Sequence, residues 1–445
     1  MTRTCSAGLR AGLLVSAFLT LVSFAHAQEL LEQRAQDIAR QVAAAPKVEA
    51  SWFDPQFLRK VSTKKLAQIL ASLHEQYGPA TSMVLRGSDS EFSGRYEMTS
   101  EKDFVIPVSI TLQSQPPHAI VGLWFGQATA ALKDFDAVVA ELAKLPGRTG
   151  LSCRELGEGE GTLVAEKDAD EPLAIGSAFK LYVLGALGAD VEGGKRKLED
   201  VTRIDPRWTS LPSGRMHTWP AGAPVTLSTL AIAMISESDN TATDHLMGIV
   251  SRGACEAILG PMGSACAEQN RPFLTTREMF QLKLTRGGAL AEAYVKLDEA
   301  GRRKMLAEDL SGGLSKADVD LSLMGKPFHI DTIEWFASPR DMNRAMDALR
   351  RAMAPGKKAH ALREALAVNP GIPALKDVFE WVGFKGGSET GVIDLTFLLK
   401  SKDGRWFALS AAWNDPSAAV DEERFVALVG RAGSLLAREA AASGK

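Results

Sequence analysis

The sequence predicts an α+β protein of two domains: a small module of helices and antiparallel sheet, then a larger antiparallel sheet flanked by helices with an all-helical subdomain. Three observations carry this. Two amphipathic helical stretches near the N-terminus give way to three strand-like runs divided by Gly, Ser and Pro-Pro turns. Two more strand-like runs at 151–166 and three at 380–413 bracket a long region of mostly helical pattern, so one sheet built from both ends of that stretch is the simplest closure. The 445 residues, 45% hydrophobic and 24% charged, suffice for two or three domains with ordinary cores.

The first 27 residues are read separately. Arg3 and Arg10 precede an apolar run from Ala11 to Phe24, and Ala25-His26-Ala27 gives a small-x-small cleavage pattern. This is the composition of a secretory signal peptide, too short in its apolar run for a membrane anchor. The expected mature chain starts at Gln28 and is periplasmic or secreted. Loss of Arg3 and Arg10, with no acid in the segment, takes the net charge from −3 to −5, which argues against a nucleic-acid partner. No later apolar run is long enough to span a membrane.

In chain order, 30–44 and 55–76 read as helices, with Leu30, Leu31, Ile38 and Val42, then Phe57, Leu66, Ile69, Leu70 and Leu73 at helical spacing. Met83–Leu85, Phe104–Leu112 and Ala119–Phe125 read as strands, completing a module over 28–128. Nothing in it pairs acids or histidines for chemistry, so a scaffold or docking role is expected. Gln127–Ala131 reads as a linker. The second domain, 132–445, opens with a helix from Asp134 to Leu145 and strands Leu151–Leu156 and Gly161–Glu166. A strongly apolar helix spans Leu227–Ile235, and helical pattern dominates from Thr241 to about Leu366. Strands Glu380–Lys385, Val392–Leu399 and Trp406–Trp413 follow, then a helix from Glu422 to about Ala441 with Phe425, Leu428, Val429, Leu435 and Leu436 on one face.

Four cysteines are few for an exported protein. Cys5 leaves with the signal, and Cys255 and Cys266, close in sequence, are able to pair in an oxidising compartment, leaving Cys153 free. The seven histidines form no His-Glu-x-x-His or other paired ligand spacing, so neither a metal nor a zinc hydrolase is expected, and no cofactor is expected.

The chemistry centres on Ile175-Gly176-Ser177-Ala178-Phe179-Lys180. On a helix, Ser177 and Lys180 share one face about a turn apart. A serine hydroxyl is a poor nucleophile until a base takes its proton, and an amine held against it out of water is such a base. Free N–H groups of the first helical turn also favour an oxyanion there. The spacing alone is weak, because Ser62-Thr63-Lys64-Lys65 repeats it in an ordinary polar helix start. Two further runs separate them: Ser238-Asp239-Asn240 at the end of the apolar helix, and Lys385-Gly386-Gly387-Ser388 at a strand end.

In this order the three runs resemble the penicillin-recognising serine hydrolases, class A β-lactamases most closely, over about residues 132–440. Leu211-Pro212-Ser213-Gly214, Met234-Ile235-Ser236 and Asn240-Thr241-Ala242-Thr243-Asp244 add to the likeness. The layout of the leading module resembles the steroid-isomerase or cystatin-like domain joined to a similar partner in the two-domain protein of the clavulanic-acid pathway. The resemblance implies a β-lactamase/transpeptidase-like fold and a small-molecule substrate, a β-lactam or a related amide or ester. It implies that Ser177 is acylated with Lys180 as base, that Ser238 passes a proton to the leaving nitrogen helped by Lys385, and that Asp239 anchors its loop. It also implies that Asn240, Gly387 and Ser388 bind substrate, and that the N–H groups of Ser177 and Ser388 form the oxyanion hole. A D,D-peptidase or esterase on the same site, and a protein that acylates once without turnover, are the alternatives.

Two departures bear on turnover. The family has Thr or Ser after the lysine, whose hydroxyl binds the substrate carboxylate; Gly386 has none. Such a bond to a charged group is worth about 1.5–3 kcal/mol. Glu389 adds a negative charge able to repel anionic substrates or to pair with Lys385. The Glu-x-x-Leu-Asn loop that supplies the deacylating glutamate has no match between Asn240 and Lys385. With Met262-Gly263 and Leu274-Thr275-Thr276 as flanks of a short loop, Glu268 is its only acid and the candidate base; with Ala337-Ser338-Pro339-Arg340-Asp341-Met342 as the far flank, the loop is greatly enlarged. Trp208, His217 and Trp219 are candidates for the wall of the cleft.

Overall fold

The computed structural model describes residues 29–211, 213–310 and 319–443; the expected signal peptide, Cys5 and Pro212 lie outside them. The chain divides into two compact units, 1–132 and 133–445. Among the described residues no helix is long and apolar enough to cross a membrane.

In the first unit α1 (29–40), α2 (Pro55–Lys60) and α3 (Thr63–Tyr77) accompany an antiparallel sheet. Its strands are β1 (Ala80–Ser90), β2 (Ser93–Ser100), β3 (Phe104–Leu112) and β4 (Ile120–Phe125), in sequence order. Leu31, Ala35 and Ile38 of α1 share a core with Met98, Ile106, Val108 and Ile110. The single helix expected over 55–76 is two, because Ser62 caps α3 by accepting the Lys65 N–H at 3.3 Å. The hydroxyl of this second Ser–Lys pair is thus spent on a helix end. Strand β2 is absent from the sequence reading: only Tyr96 and Met98 are large and apolar, and their neighbours Arg95, Glu97 and Thr99 point the other way. The expected linker contains β5 (Thr129–Ala130), which pairs with β3.

The second unit begins with α4 (Phe135–Leu142), β6 (Arg148–Leu156), β7 (Thr162–Lys167) and β8 (Leu173–Ala174). Helix α5 (Lys180–Glu192) and strands β9 (Val201–Arg203) and β10 (Pro224–Thr226) lead to α6 (Leu227–Ser236), α7 (Asn240–Val250) and α8 (Arg252–Leu259). Then come α9 (Thr276–Leu284), α10 (Ala289–Tyr294), α11 (Glu299–Glu308), β11 (Phe336–Ala337), α12 (Pro339–Ala352), α13 (Arg363–Val368) and α14 (Leu375–Val378). Strands β12 (Trp381–Glu389), β13 (Val392–Lys400) and β14 (Trp406–Asn414) and helix α15 (Glu422–Ser443) close the chain. The sheet runs β12-β13-β14-β6-β7, every neighbour antiparallel, so it joins both ends of the unit.

Helices cover both faces. Asn343 of α12 takes the Ser410 hydroxyl at 2.7 Å and donates to Ser152 O at 3.0 Å, while Trp413, of opposite parity on β14, meets Phe425 of α15. Helix α5 is largely apolar and buried on all but the Gly185, Ala189 and Glu192 face, with Leu181, Tyr182, Val183, Leu184 and Leu187 each at most 1% exposed. It fixes the turn before it in the centre of the unit. Cys255 and Cys266 do not pair: both, like Cys153, are buried free thiols, Cys255 on α8 and Cys266 in the loop beyond it.

Candidate active site

Ser177 sits in a 3-10 turn, Gly176–Phe179, and Lys180 is the first residue of α5. The single helix expected across both is therefore tighter at its start. A 3-10 turn eclipses residues three apart, and Lys180 Nζ lies 3.2 Å from Ser177 Oγ. Strand β12 was expected to stop at Lys385, because consecutive glycines read as a strand end. It runs on to Glu389, paired residue by residue with β13. The glycines serve a close approach instead. A Cβ at Gly387 would lie 2.1 Å from Ile175 O, 2.3 Å from Ser177 N and 2.6 Å from Ala178 N. Gly176, at φ +47, meets Ser388 N from the other side. The Ser177 turn and the strand edge are thus backbone against backbone.

Lys180 is wholly buried with four oxygens around its amine: Ser238 O at 2.6 Å, Asn240 Oδ1 at 2.7 Å, Ser238 Oγ at 3.0 Å and Ser177 Oγ at 3.2 Å. Burial, and then the charge of Lys385, push its pKa well below the ordinary lysine value. A neutral amine has two N–H donors and one lone pair. The two shortest contacts, to a carbonyl and an amide oxygen, can only be donations from it, so a lone pair on the unprotonated amine would be left for one of the two serine hydroxyls. Lys385, 3% exposed, donates to Ser238 Oγ at 3.1 Å and to Gly386 O; burial brings its pKa down to about 7, with Asp394 acting in the opposite direction. Ser238 Oγ therefore bridges the two lysines.

Ser238 holds a left-handed φ of +54, a strained position for a residue with a Cβ. Asp239, fully buried, caps α7 through Ala242 N and takes the N–H groups of Arg215 and Met216 at 2.7 and 2.8 Å. Asn240 donates to Leu211 O and accepts from Lys180. Asp244, also buried, accepts from the backbone of Thr276 and Arg277 at the start of α9, and burial lifts its pKa to about 6. These acids hold loops and helix ends.

A cavity of about 420 Å3 opens over Ser177, and its wall includes Ser238, Asn240, Lys385, Gly387 and Ser388. The structure thus gathers every residue that the three runs nominate. Glu268 is not among them: its side chain is 80% exposed, lies 3.4 Å from Arg271 and lines no part of this wall. Trp208, His217 and Trp219 do not line it either; Trp208 borders a separate cavity of arginines. Glu389 pairs not with Lys385 but with Lys283 of α9, at 2.6 Å, and Lys283 Nζ also lies 3.4 Å from the fully buried Glu334. This cluster joins residues 106 positions apart and has no local sequence signature. At Gly386, a Cβ would lie 2.7 Å from the Phe384 ring, so that ring fills the space where a side chain at 386 would stand. Among the described residues no three or more His, Cys, Asp or Glu side chains are placed to hold a metal.

The model of the beta-lactamase enzyme family matches residues 131–439, the whole sheet, both lysines and the cavity. The chain belongs to the beta-lactamase enzyme family. No curated protein sequence matches it. Among solved structures, a beta-lactamase from Sphaerobacter thermophilus is 20% identical, with 68% of this chain and 94% of that one covered and a TM-score of 0.47. A beta-lactamase from Xanthomonas campestris pv. campestris is 17% identical, covering 68% and 96%, also at 0.47. PBP-A, as the L158E mutant in an acyl-enzyme complex with penicillin G, is 14% identical, covering 68% and 95%, at 0.47. Within this beta-lactamase family chain, the signal for the Ser177 cluster is the order and spacing of its three runs; nothing local marks Lys283 or Glu334.

Proposed function

We infer that this beta-lactamase family protein is a serine hydrolase of the class A type, opening β-lactams or related amide or ester bonds through an acyl-enzyme on Ser177. The observation that carries the reading is the buried Lys180 amine, without a carboxylate within ion-pair distance among the described residues and 3.2 Å from Ser177 Oγ, its pKa pushed well down by burial. As Ser177 Oγ bonds to the substrate carbonyl carbon, its proton passes to Lys180. Ser238, between Lys180 and Lys385, gives a proton to the departing nitrogen or oxygen and recovers one from Lys180. The N–H groups of Ser177 and Ser388 flank the developing oxyanion, the placement from which such sites gain most of their rate. Asn240, Gly387 and Ser388 bind the substrate, a small molecule, without a cofactor.

The filled space at Gly386 favours a variant of this reading, an esterase or peptidase acting on substrates without a carboxylate next to the reacting carbonyl. Phe384 offers an apolar surface there in place of a hydroxyl. The chain is proposed to act outside the cytoplasm after removal of residues 1–27, with the first unit as a steroid-isomerase- or cystatin-like scaffold.

Purified protein is mixed with nitrocefin and, separately, p-nitrophenyl acetate, and intact mass is followed with time. The reading expects an acyl adduct that Ser177→Ala abolishes. Equal turnover of both compounds by Ser177→Ala sinks it, and a permanent adduct in the wild type reassigns the protein as a binder that does not turn over.

A further inference from the structure

We propose that Glu389, held by the Lys283 ammonium and backed by Glu334, is the general base that frees the acyl group from Ser177. This rests on the acyl-enzyme reading above and supplies the step for which the sequence shows no glutamate loop.

Two ladders place the cluster at the nucleophile. Strand β11 pairs with β8, Phe336 opposite Ala174, and the Ile175 N–H to Trp335 O bond at 3.0 Å extends that ladder by one residue. Glu334 is the residue next to Trp335 in the chain, as Ser177 is two beyond Ile175. From the other side, Gly387 lies against Ser177 N, and Glu389 follows two residues on along β12. That is about 7 Å at the rise of an antiparallel strand, and alternation turns its side chain to the face shared with Lys385 and Gly387. Ser177, Lys283 and Glu389 line one cavity.

The charges leave one carboxylate free to act. Glu334 is 0% exposed at its side chain; burial, and then the charge of Glu389, raise its pKa well above the carboxylate range, so it keeps its proton near neutrality. Burial works against the charge of Lys283, but Glu389 beside it, with the Glu334 side chain behind, outweighs burial and raises its pKa above the ordinary lysine value. Glu389 is the member that reaches the cavity, 21% exposed at its side chain. Two other acids line the wall. Asp394, raised to about 8 by burial, holds a proton and takes the Thr396 hydroxyl, and Glu422 stands exposed at the start of α15. Lys326, exposed on the same wall, is the remaining charged group facing this end.

In the step, a water oxygen bonds to the acyl carbon as its proton moves to the Glu389 carboxylate. The bond from that carbon to Ser177 Oγ then breaks, and the proton returns to Oγ. One water is consumed, and free acid and free enzyme result. Glu334 touches no reacting atom; it is a positioning residue that fixes Lys283 and keeps a second negative charge away from Glu389.

The test is the intact-mass time course with nitrocefin and p-nitrophenyl acetate on wild type, Glu389→Gln and Glu334→Gln, with Tm measured for each. Glu389→Gln is expected to acylate at the wild-type rate and to lose the acyl group at least about 100-fold more slowly, the scale of a lost general base. In the wild type, deacylation against pH shows an inflection above the ordinary carboxylate range, where Glu334 ionises; Glu334→Gln lacks it. Clearance of the adduct by Glu389→Gln at the wild-type rate overturns the proposal, and so does equal loss of both half-reactions at an intact Tm. If Tm falls, Glu389→Asp, which keeps the carboxylate, carries the test: slowed deacylation with intact acylation supports the proposal, and equal slowing of both overturns it. A wild type that takes no acyl group from either probe fails before any variant is compared, and that failure belongs to the acyl-enzyme reading.

Discussion

Gly387→Ala is the sharpest probe of how the site is built. A Cβ there would stand 2.1 Å from Ile175 O and 2.3 Å from Ser177 N, both backbone atoms, whereas real Cβ contacts are essentially never under 3.0 Å. The strand and the nucleophile turn must therefore separate by nearly an ångström, with no side chain able to give way. Overpacking of this kind costs about 1–3 kcal/mol of stability. The kinetic effect is larger. Ser388 N–H is carried away from Ser177, and a displaced oxyanion donor or a 1 Å misplacement costs about 100-fold or more in rate. Acylation followed by intact mass, alongside thermal melting, separates the two effects: Tm falls modestly while acylation drops about 100-fold. Acylation at the wild-type rate in a protein whose Tm has fallen would refute the reasoning, because the oxyanion would then depend on something other than the strand edge.

Three further outcomes follow from the geometry. Gly386→Thr alone is expected to improve penicillin binding little, because its Cβ meets the Phe384 ring at 2.7 Å. Paired with Phe384→Ala it is expected to tighten binding about ten- to a hundredfold, measured as Kd on a Ser177→Ala background. Asp239→Ala strips acceptors from the N–H groups of Ala242, Arg215 and Met216, and should lower stability in urea melts by at least about 1–3 kcal/mol. The pKa of Asp394 is about 8 in the fold, above its unfolded value, so its contribution to stability is full in acid and is lost as pH rises toward 8. Asp394→Asn has no such loss, so its Tm should gain on the wild type from pH 5 to pH 8 and then level off; a constant difference across that range would contradict the assignment.

The parts legible in the sequence were those with a local cause. Apolar spacing marks α6 and α15, and the three motif runs name every residue that meets around Lys180. What escaped has causes that distance hides. Gly386 and Gly387 read as a strand end because a glycine pair weakens a strand, yet the pressure for glycine comes from Ile175 and Ser177, some 210 residues earlier in the chain. Strand β2 has two inward apolar residues and no more, too few for periodicity to register. Glu268 drew notice as the only acid in a short loop, but nothing desolvates it or holds it near Ser177. The acids that are desolvated and held, Glu334 and Glu389, are brought to Lys283 by tertiary contacts alone.

The sheet of the second unit takes β6 and β7 from its beginning and β12 to β14 from its end. Only the β14–β6 pairing joins the two ends, and a chain that reaches no further than the helical region has Ser177 and Lys180 but no strand edge beside them. Such long-range closure is slow by its topology. On the proposed reading, the oxyanion position at Ser177 is complete only once Gly387 and Ser388 of β12 lie against it.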